Sequence, residues 1–340
     1  MKNNFFNQII IIFFALLISN ANSSEQFNFD VTEIEILDKG NIYKGLKRGT
    51  ITTNDGIELD ADEFEYNKAL NILNANGNVK IKDSINNYLI FSDKITYLKN
   101  ENIIITNGNS KAVEQNENIT IDAKKFEYYK LENKILASED VVINNNIKDY
   151  KIFSNKIEYL KNQEKFLTYG FTRALIESNY DIKSSDVTFF KDKLELFSKN
   201  DTTIFDNNFQ FYKLSNFYYS INKKELKGEK IIVTTNYNLP KSDKFYFSSA
   251  IIDLKNNNFI AGDTEILVHK NIFSNEENDP RILGVSSNKK ANLTTINKGI
   301  FTSCKKNDKC PPWSISARKI EHDQTKKQIT YDQAILKIYD

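Results

Sequence analysis

The segment 119–143 shows the hydrophobic pattern that recurs along most of the chain. Ile121 and Ala123 alternate with polar residues, which is the period-two pattern of a strand with one buried face. Phe126 and Tyr128 also alternate, but an odd number of positions separates Phe126 from Ala123. One face can stay buried only if the strand bends or bulges at the two lysines between them. The pattern therefore predicts a bent strand with the small alanine inside the corner.

The same pattern recurs every 30 or 31 residues, which is the signature of a repeat protein. We call the positions equivalent to Phe126 the anchor column; they are Phe64, Ile95, Phe126, Ile157, Val187 and Phe217. Two residues later comes an aromatic column, made of Tyr66, Tyr97, Tyr128, Tyr159, Phe189 and Tyr219. Three residues before the anchor stand small residues, namely Ala61, Ser92, Ala123, Ser154 and Ser184. Two degenerate copies follow, anchored at Ile251 and Ile320.

The length of the repeat predicts the fold class. At about 3.3 Å per residue, one unit holds roughly 100 Å of extended chain, which suits a few strands joined by tight turns. Each unit buries one face only and needs neighbours on both sides. We therefore expect an all-β protein, an elongated antiparallel β-jelly roll built from ~31-residue repeats. The alternative is a right-handed parallel β-helix, although its coils usually use shorter repeats.

The termini and one internal segment depart from the repeat. Residues 1–21 have the features of a signal peptide: a lysine at position 2, ten apolar residues from Ile9 to Ile18, and a small-x-small end. Residues 22–340 are expected to form one exported repeat domain, beginning with a partial unit at 25–56. The segment 271–300 has no repeat positions and contains Asn278-Asp279-Pro280, so it is predicted to be an irregular insertion.

Composition and charge exclude several functions. The net charge of +1 gives no basic footprint for nucleic acid. The two histidines lie near no serine or cysteine pattern of a triad, and no carboxylate recurs at a fixed repeat position, so we expect neither catalysis nor a cofactor. Cys304 and Cys310 with His322 are too few for a convincing metal site. In an exported chain, a disulfide is the default, formed between Cys304 and Cys310 or with a partner segment.

The anchor and aromatic columns have two interpretations. They can be stacked core, or they can line an open groove for an elongated apolar ligand. The pattern alone does not decide between these two, so all twelve residues are candidate groove residues.

The repeats, the leader and above all the C-terminal segment resemble a known family. They are similar to the N-terminal periplasmic part of the lipopolysaccharide-assembly protein LptD, also called organic solvent tolerance protein. The repeat units alone are shared with the periplasmic bridge proteins LptA and LptC. The more specific match is made by Thr302, Ser303, Cys304, Trp313, Ser314, Ile320, His322, Asp323, Ala334, Lys337 and Ile338.

The resemblance implies a function and partners. It implies a periplasmic protein, associated with the outer membrane, that shields the acyl chains of lipopolysaccharide and delivers it to the assembly site. The implied partners are lipopolysaccharide, an LptA-type bridge protein joined by edge-strand pairing, and an outer-membrane β-barrel with its lipoprotein plug. The family's barrel is absent from this sequence, and the family's disulfides join N-terminal cysteines, matched here by Cys304, to barrel cysteines. A structural or adhesive β-solenoid without ligand is the competing function, and a carbohydrate-active β-helix is the third.

Overall fold

A computed structural model describes residues 27–270, 278–306 and 312–339 of the chain. Within these ranges the protein is built from strands that pair antiparallel, with two short 3-10 turns at Asp38–Gly40 and Lys161–Gln163 and no α-helix. The predicted all-β antiparallel architecture is confirmed, and the parallel β-helix is wrong. The predicted signal peptide lies outside the described residues.

Successive passes of the chain pair side by side in a meander, and some passes consist of two short strands, so that β1 and β2 pair with β4 and β3. The first fourteen are β1 (Asn28–Val31), β2 (Ile34–Leu37), β3 (Ile42–Gly45), β4 (Gly49–Thr52), β5 (Ile57–Ala61), β6 (Glu63–Asn67), β7 (Ile72–Asp83), β8 (Tyr88–Leu98), β9 (Ile103–Asn107), β10 (Ser110–Glu114), β11 (Ile119–Ala123), β12 (Lys125–Tyr129), β13 (Lys134–Asn145) and β14 (Tyr150–Leu160). The others are β15 (Lys165–Ile176), β16 (Tyr180–Ser185), β17 (Thr188–Phe190), β18 (Glu195–Ser198), β19 (Thr202–Asp206), β20 (Phe211–Ser220), β21 (Glu225–Thr234), β22 (Lys244–Asp253), β23 (Asn258–Leu267), β24 (Arg281–Lys290), β25 (Leu293–Thr302), β26 (Trp313–Asp323), β27 (Gln328–Asp332) and β28 (Ile335–Ile338).

The sheet is folded over along its length, so that each pass of the chain crosses from one layer to the other. In β13, residues 134–138 pair with β12, and residues 142–145 pair with β11. Between these halves Glu139 and Asp140 take positive φ angles, which turn the strand through the corner. We call the layer that holds the aromatic column the aromatic layer, and the other, which holds Leu59, Ile121 and Ile152, the aliphatic layer. The core lies between them.

The corner has the predicted composition. Ala123 ends β11 and is buried, and β12 starts after Lys124, where the sequence pattern placed the bend. The equivalent small residues, Ala61, Ser92, Ser154 and Ser184, are also buried. Buried hydroxyl groups bond to each other here; for example, the side chains of Ser184 and Thr202 lie 2.8 Å apart. A small residue is required because the two layers approach closely at the fold.

Two expectations for the C-terminal part are wrong. The side chain of Ile251 is 45% exposed, whereas its neighbours Ala250 and Ile252 are buried. The anchor of this repeat copy is therefore displaced by one residue from Ile251. The prediction was misled because Ile251 and Ile252 are both apolar, and because Ser248 lies where a small residue was expected for an anchor at Ile251. The expected insertion at 271–300 is regular sheet from residue 281 onward, because β24 and β25 pair along their length and continue the meander. Its small and hydroxylated side chains form strands without the aromatic pattern that marks the other units.

The ladder ends in an edge on each side within the described residues. β1 pairs only with β4, and β2 pairs only with β3. At the other end, β27 and β28 both pair only with β26. No helix among the described residues is long and apolar enough to cross a membrane.

Candidate functional site

The twelve predicted groove residues all lie on the inner face of the aromatic layer. Each is at most 8% exposed and packs in the main core. The two columns alternate with outward residues, as the example of Glu127 between Phe126 and Tyr128 shows. In this structure they are core residues, and contact of any of them with a lipid stays a prediction.

The aromatic column belongs to a continuous cross-strand row. Direct pairing partners lead from strand to strand through Tyr43, Tyr66, Leu73, Tyr97, Ile104, Tyr128, Ile135, Tyr159, Phe166, Phe189, Leu196, Tyr219, Leu226, Ile252, Phe259, Lys289, Thr294, His322 and Ile329. The row is aromatic or aliphatic as far as Phe259. It then becomes polar at three successive strands.

The tyrosine hydroxyl groups of this row reach polar residues at the ends of aliphatic-layer strands. The hydroxyl of Tyr128 donates to Asp83 at 2.7 Å, and that of Tyr159 donates to Glu114 at 2.8 Å. Burial is the main cause of the raised pKa of both tyrosines, and the neighbouring carboxylates raise it further. Both hydroxyl groups therefore remain protonated donors that tie one layer to the other.

Lysines also join the two layers on this side of the sheet, which lies opposite the corner. Lys130 Nζ lies 2.6 Å from Asp55 Oδ2, and Lys99 Nζ lies 2.7 Å from the other oxygen of the same carboxylate. Lys161 Nζ donates to the backbone oxygen of Asn86. We call this set of contacts between turns of the two layers the polar seam; its members are Asp55, Asp83, Asn86, Tyr97, Lys99, Glu114, Glu117, Tyr128, Lys130, Tyr159, Lys161, Glu164, Glu177, Lys191 and Lys224.

The centre of the polar seam is a buried charge cluster. The side chain of Lys191 is 2% exposed and makes ion pairs with Glu114, Glu117 and Glu164. Burial alone would lower the pKa of Lys191, but the carboxylates outweigh it and raise the pKa. The amine is therefore a fixed cation that holds acidic groups from both layers.

The polar seam ends with the ion pair between Lys224 and Glu177. Beyond it, no ion pair between described residues joins the two layers. A cleft of about 380 Å³ opens between the layers at this point. The apolar walls include Tyr212, Phe245, Phe247, Phe259, Ile282, Ile296 and Phe301. Its volume is within the usual range of about 300–1,000 Å³ for ligand sites.

Polar groups surround the opening of this cleft. From the aromatic layer come Lys289 and His322, and from the aliphatic layer comes Asp243. Asp243 accepts a hydrogen bond from the backbone nitrogen of His269, and Nδ1 of His269 lies 2.8 Å from the same carboxylate oxygen. Burial lowers the pKa of Lys289, with no compensating carboxylate. The cleft thus joins an apolar interior to a rim that carries charge.

The cysteine motif lies beside the last strands. The backbone nitrogen of Cys304 donates to the hydroxyl of Thr302, which donates to the backbone oxygen of Trp313. Cys304 is half-buried and carries no disulfide among the described residues. Cys310 lies outside the described residues, so either pairing of Cys304 stays a prediction. Within the same ranges no group of three metal-ligating side chains is present.

The cleft lies outside the twelve residues that the sequence predicted for a groove. Sequence reasoning did not name Phe247, Phe259 or Lys289, although its own aromatic column stops after Tyr219. At the next three column positions the structure has Ile252, Lys289 and His322, and the smaller or polar side chains there coincide with the cleft. The loss of aromatic residues after Tyr219 is the sequence feature that could have indicated the position of the cleft.

Comparison with solved structures finds several chains that resemble part of this one. No family model matches the chain, and no curated protein sequence matches it. A solved structure with similarity is LptH from Pseudomonas aeruginosa, described as the LptA-homologous periplasmic component of the lipopolysaccharide transport device. The identity is 13% and the TM-score is 0.28, over 31% of this chain and 75% of LptH. A likeness of this size carries no argument about function.

Proposed function

We propose that the protein carries lipopolysaccharide through the periplasm for delivery to the outer membrane. The observation that supports this best is the apolar cleft, which opens between the layers where the polar seam ends. Each buried CH₂ of an acyl chain gains about 0.8 kcal/mol, so a lipid with several chains needs such a shield in water. The sugars stay outside the cleft. This role requires no catalytic group and no cofactor, and it agrees with the family resemblance of residues 302–338.

We propose an order of binding along the molecule. Acyl chains would enter the cleft alongside the rings of Phe247 and Phe259, which lie in contact with their centroids 5.1 Å apart. This entry needs no rearrangement of the seam. Passage along the anchor and aromatic columns would require the two layers to separate, because those side chains are buried. The seam lies on the side where they would part. We propose that the twelve column residues contact lipid only in that opened state.

The N-terminal edge is suited to strand addition by an LptA-type bridge protein. The backbone oxygen of Glu33 accepts from the nitrogen of Leu46, which fixes the alternation of bonded pairs between β2 and β3. By this alternation the backbone groups of Ile34 and Ile36 face the free edge. Their side chains are 42% and 57% exposed. Such an unpaired strand binds another chain by backbone hydrogen bonds.

The opposite edge is our proposed contact toward the outer-membrane β-barrel and its lipoprotein plug. Ile335, Leu336 and Ile338 of β28 are exposed apolar residues beside unpaired backbone groups. An apolar strand edge of this kind is a site for further pairing.

Photo-crosslinking in living cells tests the lipid-carrier function. A benzophenone side chain at Phe259, inside the cleft, should capture lipopolysaccharide. The same side chain at Ile260, which is 69% exposed on the outer face, should not. For the columns, Tyr128 is compared with Glu127, and Tyr97 with Thr96. Labelling at Phe259 and at both tyrosines would support passage along the row, whereas labelling at Phe259 alone would restrict lipid to the cleft.

The close packing of the columns favours a second function. A structural or adhesive solenoid needs a dry core, and the first core cluster is such a core in the described state. In that case no position would capture lipid, including Phe259. Equal labelling at Phe259 and Ile260 would contradict a specific cleft.

A further inference from the structure

We infer that Lys289, Thr294 and His322 form an anion subsite at the mouth of the cleft, where they bind the phosphate headgroup of the lipid. The inference rests on the proposed function and adds to it the chemical class of the headgroup. It assigns the recognition of that headgroup to three residues of one cross-strand row.

The three residues are direct neighbours on successive strands. Lys289 of β24 pairs with Thr294 of β25, and Thr294 pairs with His322 of β26. Adjacent strands are about 4.8 Å apart, so the lysine and histidine backbones are roughly 10 Å apart with the threonine between them. All three side chains line the cleft. An ammonium group, a hydroxyl group and an imidazole are thus presented together to its interior.

Lys289 differs from the lysines of the polar seam. Lys99, Lys130, Lys161, Lys191 and Lys224 each make an ion pair with a carboxylate. Lys289 makes no ion pair or hydrogen bond with any other described residue, and burial lowers its pKa. A half-buried cation without a counter-ion is unfavourable, so an anion supplied by a ligand would stabilise it.

The other charged groups near the subsite leave it available. Asp243, across the cleft, is already engaged by His269. Asp323, next to His322, accepts hydrogen bonds from the turn nitrogens of Thr325 and Lys326. Neither carboxylate neutralises Lys289 in this structure.

The surroundings select an anionic amphiphile. Phe259 is the row neighbour of Lys289 on one side, and Ile329 is the neighbour of His322 on the other. A chain bound against the aromatic wall would place its head at the polar end of the row. The oxygens of a phosphate can accept hydrogen bonds from several donors at once. A phosphate ligand therefore suits an ammonium, a hydroxyl and an imidazole better than a carboxylate ligand, which has fewer oxygens.

Two amphiphiles with the same chain test the inference. Binding of dodecyl phosphate and of dodecyl maltoside, each below its micelle concentration, is measured by calorimetry with the full chain. The wild type should bind dodecyl phosphate about tenfold more tightly, which is the effect expected of a charge-assisted hydrogen bond. Lys289→Gln should remove this preference and leave the affinity for dodecyl maltoside unchanged. Lys290→Gln is the matched control, because Lys290 is exposed on the opposite face, and it should keep the preference.

The possible outcomes separate this inference from the proposed function. If neither amphiphile binds, the lipid-carrier function and the subsite both fail. If both bind equally to the wild type, or if Lys289→Gln keeps the preference, only the subsite is refuted. Loss of the preference in Lys290→Gln would also refute it, since the effect would then reflect general charge. Inorganic phosphate binding as tightly as dodecyl phosphate would assign the site to free phosphate and overturn the lipid assignment.

Discussion

At the scale of residues, the surroundings of an inward-facing lysine decide whether its charge holds the fold together or is available to a ligand. Lys191 is surrounded by three carboxylates, whereas Lys289 faces an apolar wall without a counter-ion. Nothing in the sequence around either lysine shows whether a carboxylate will lie beside it, so the sequence could not distinguish them. The difference comes from partners 27 to 77 residues away, since Lys191 meets Glu164 and Glu114.

Replacing Lys191 tests the charge cluster. Lys191→Met leaves the buried Glu114 with Lys161 as its remaining ion-pair partner and removes the cation shared by Glu117 and Glu164. We therefore expect a loss of about 3 kcal/mol in the free energy of unfolding. Chemical denaturation at neutral pH measures this loss. Lys193→Met, two residues away and exposed, should change the stability by less than about 0.5 kcal/mol. Equal stability of the two variants would show that the ion pairs of the cluster contribute nothing measurable.

At the scale of elements, the sequence predicted the strands well where aromatic residues mark the register. The alternation of apolar and polar residues predicted the buried face of β11 and β12. The odd number of positions between Ala123 and Phe126 predicted the corner between these strands. The prediction failed at β22, where Ile251 and Ile252 are adjacent apolar residues, and parity is ambiguous. It also failed at β24 and β25, because small and hydroxylated residues form strands there through pairing with their neighbours. Such pairing depends on the adjacent strands, so the residues of β24 and β25 themselves show no apolar-polar pattern that would predict it.

The edge strand β2 gives an element-scale prediction. Ile36→Pro removes a backbone donor that faces the free edge, so it should weaken co-purification with an LptA-type bridge protein while the fold is retained. Glu35→Pro is the control, because the nitrogen of Glu35 belongs to a bonded pair with Lys44 of β3. It should lower the melting temperature, which Ile36→Pro should not. Unchanged bridge binding by Ile36→Pro would argue against strand addition at this edge.

At the scale of the whole molecule, two regions differ in how the layers are held together. The polar seam joins the layers from the turn before β5 to the turn after β20, and one large core runs from Phe27 to Ala261. Toward the C-terminus a second, smaller core cluster is separate from the first, and the cleft lies beside it. The repeat predicted one continuous interior. It could not predict the seam or the place where it ends, because seam contacts join turns that are far apart in sequence.

Hydrogen exchange should report this difference. Backbone amides of β7, β13 and β14 should exchange much more slowly than those of β22 to β26, because opening the first region breaks the seam as well as the core. Mass spectrometry of peptides after deuterium labelling resolves both regions. Similar protection of the inner strands in the two regions would contradict a role of the seam in stability.

The spacing of the seam contacts has a further consequence for how the array behaves. Lys130 reaches Asp55, and Lys161 reaches Asn86, each across 75 residues, which is more than two repeats. In the usual description of repeat arrays, each unit interacts only with its immediate neighbours, and a short segment can open alone. These two contacts each skip over a unit, so the array has second-neighbour coupling there. The two layers of a single unit cannot separate without breaking seam contacts made by the units on both sides. Opening of the layers therefore extends over a block of several repeats.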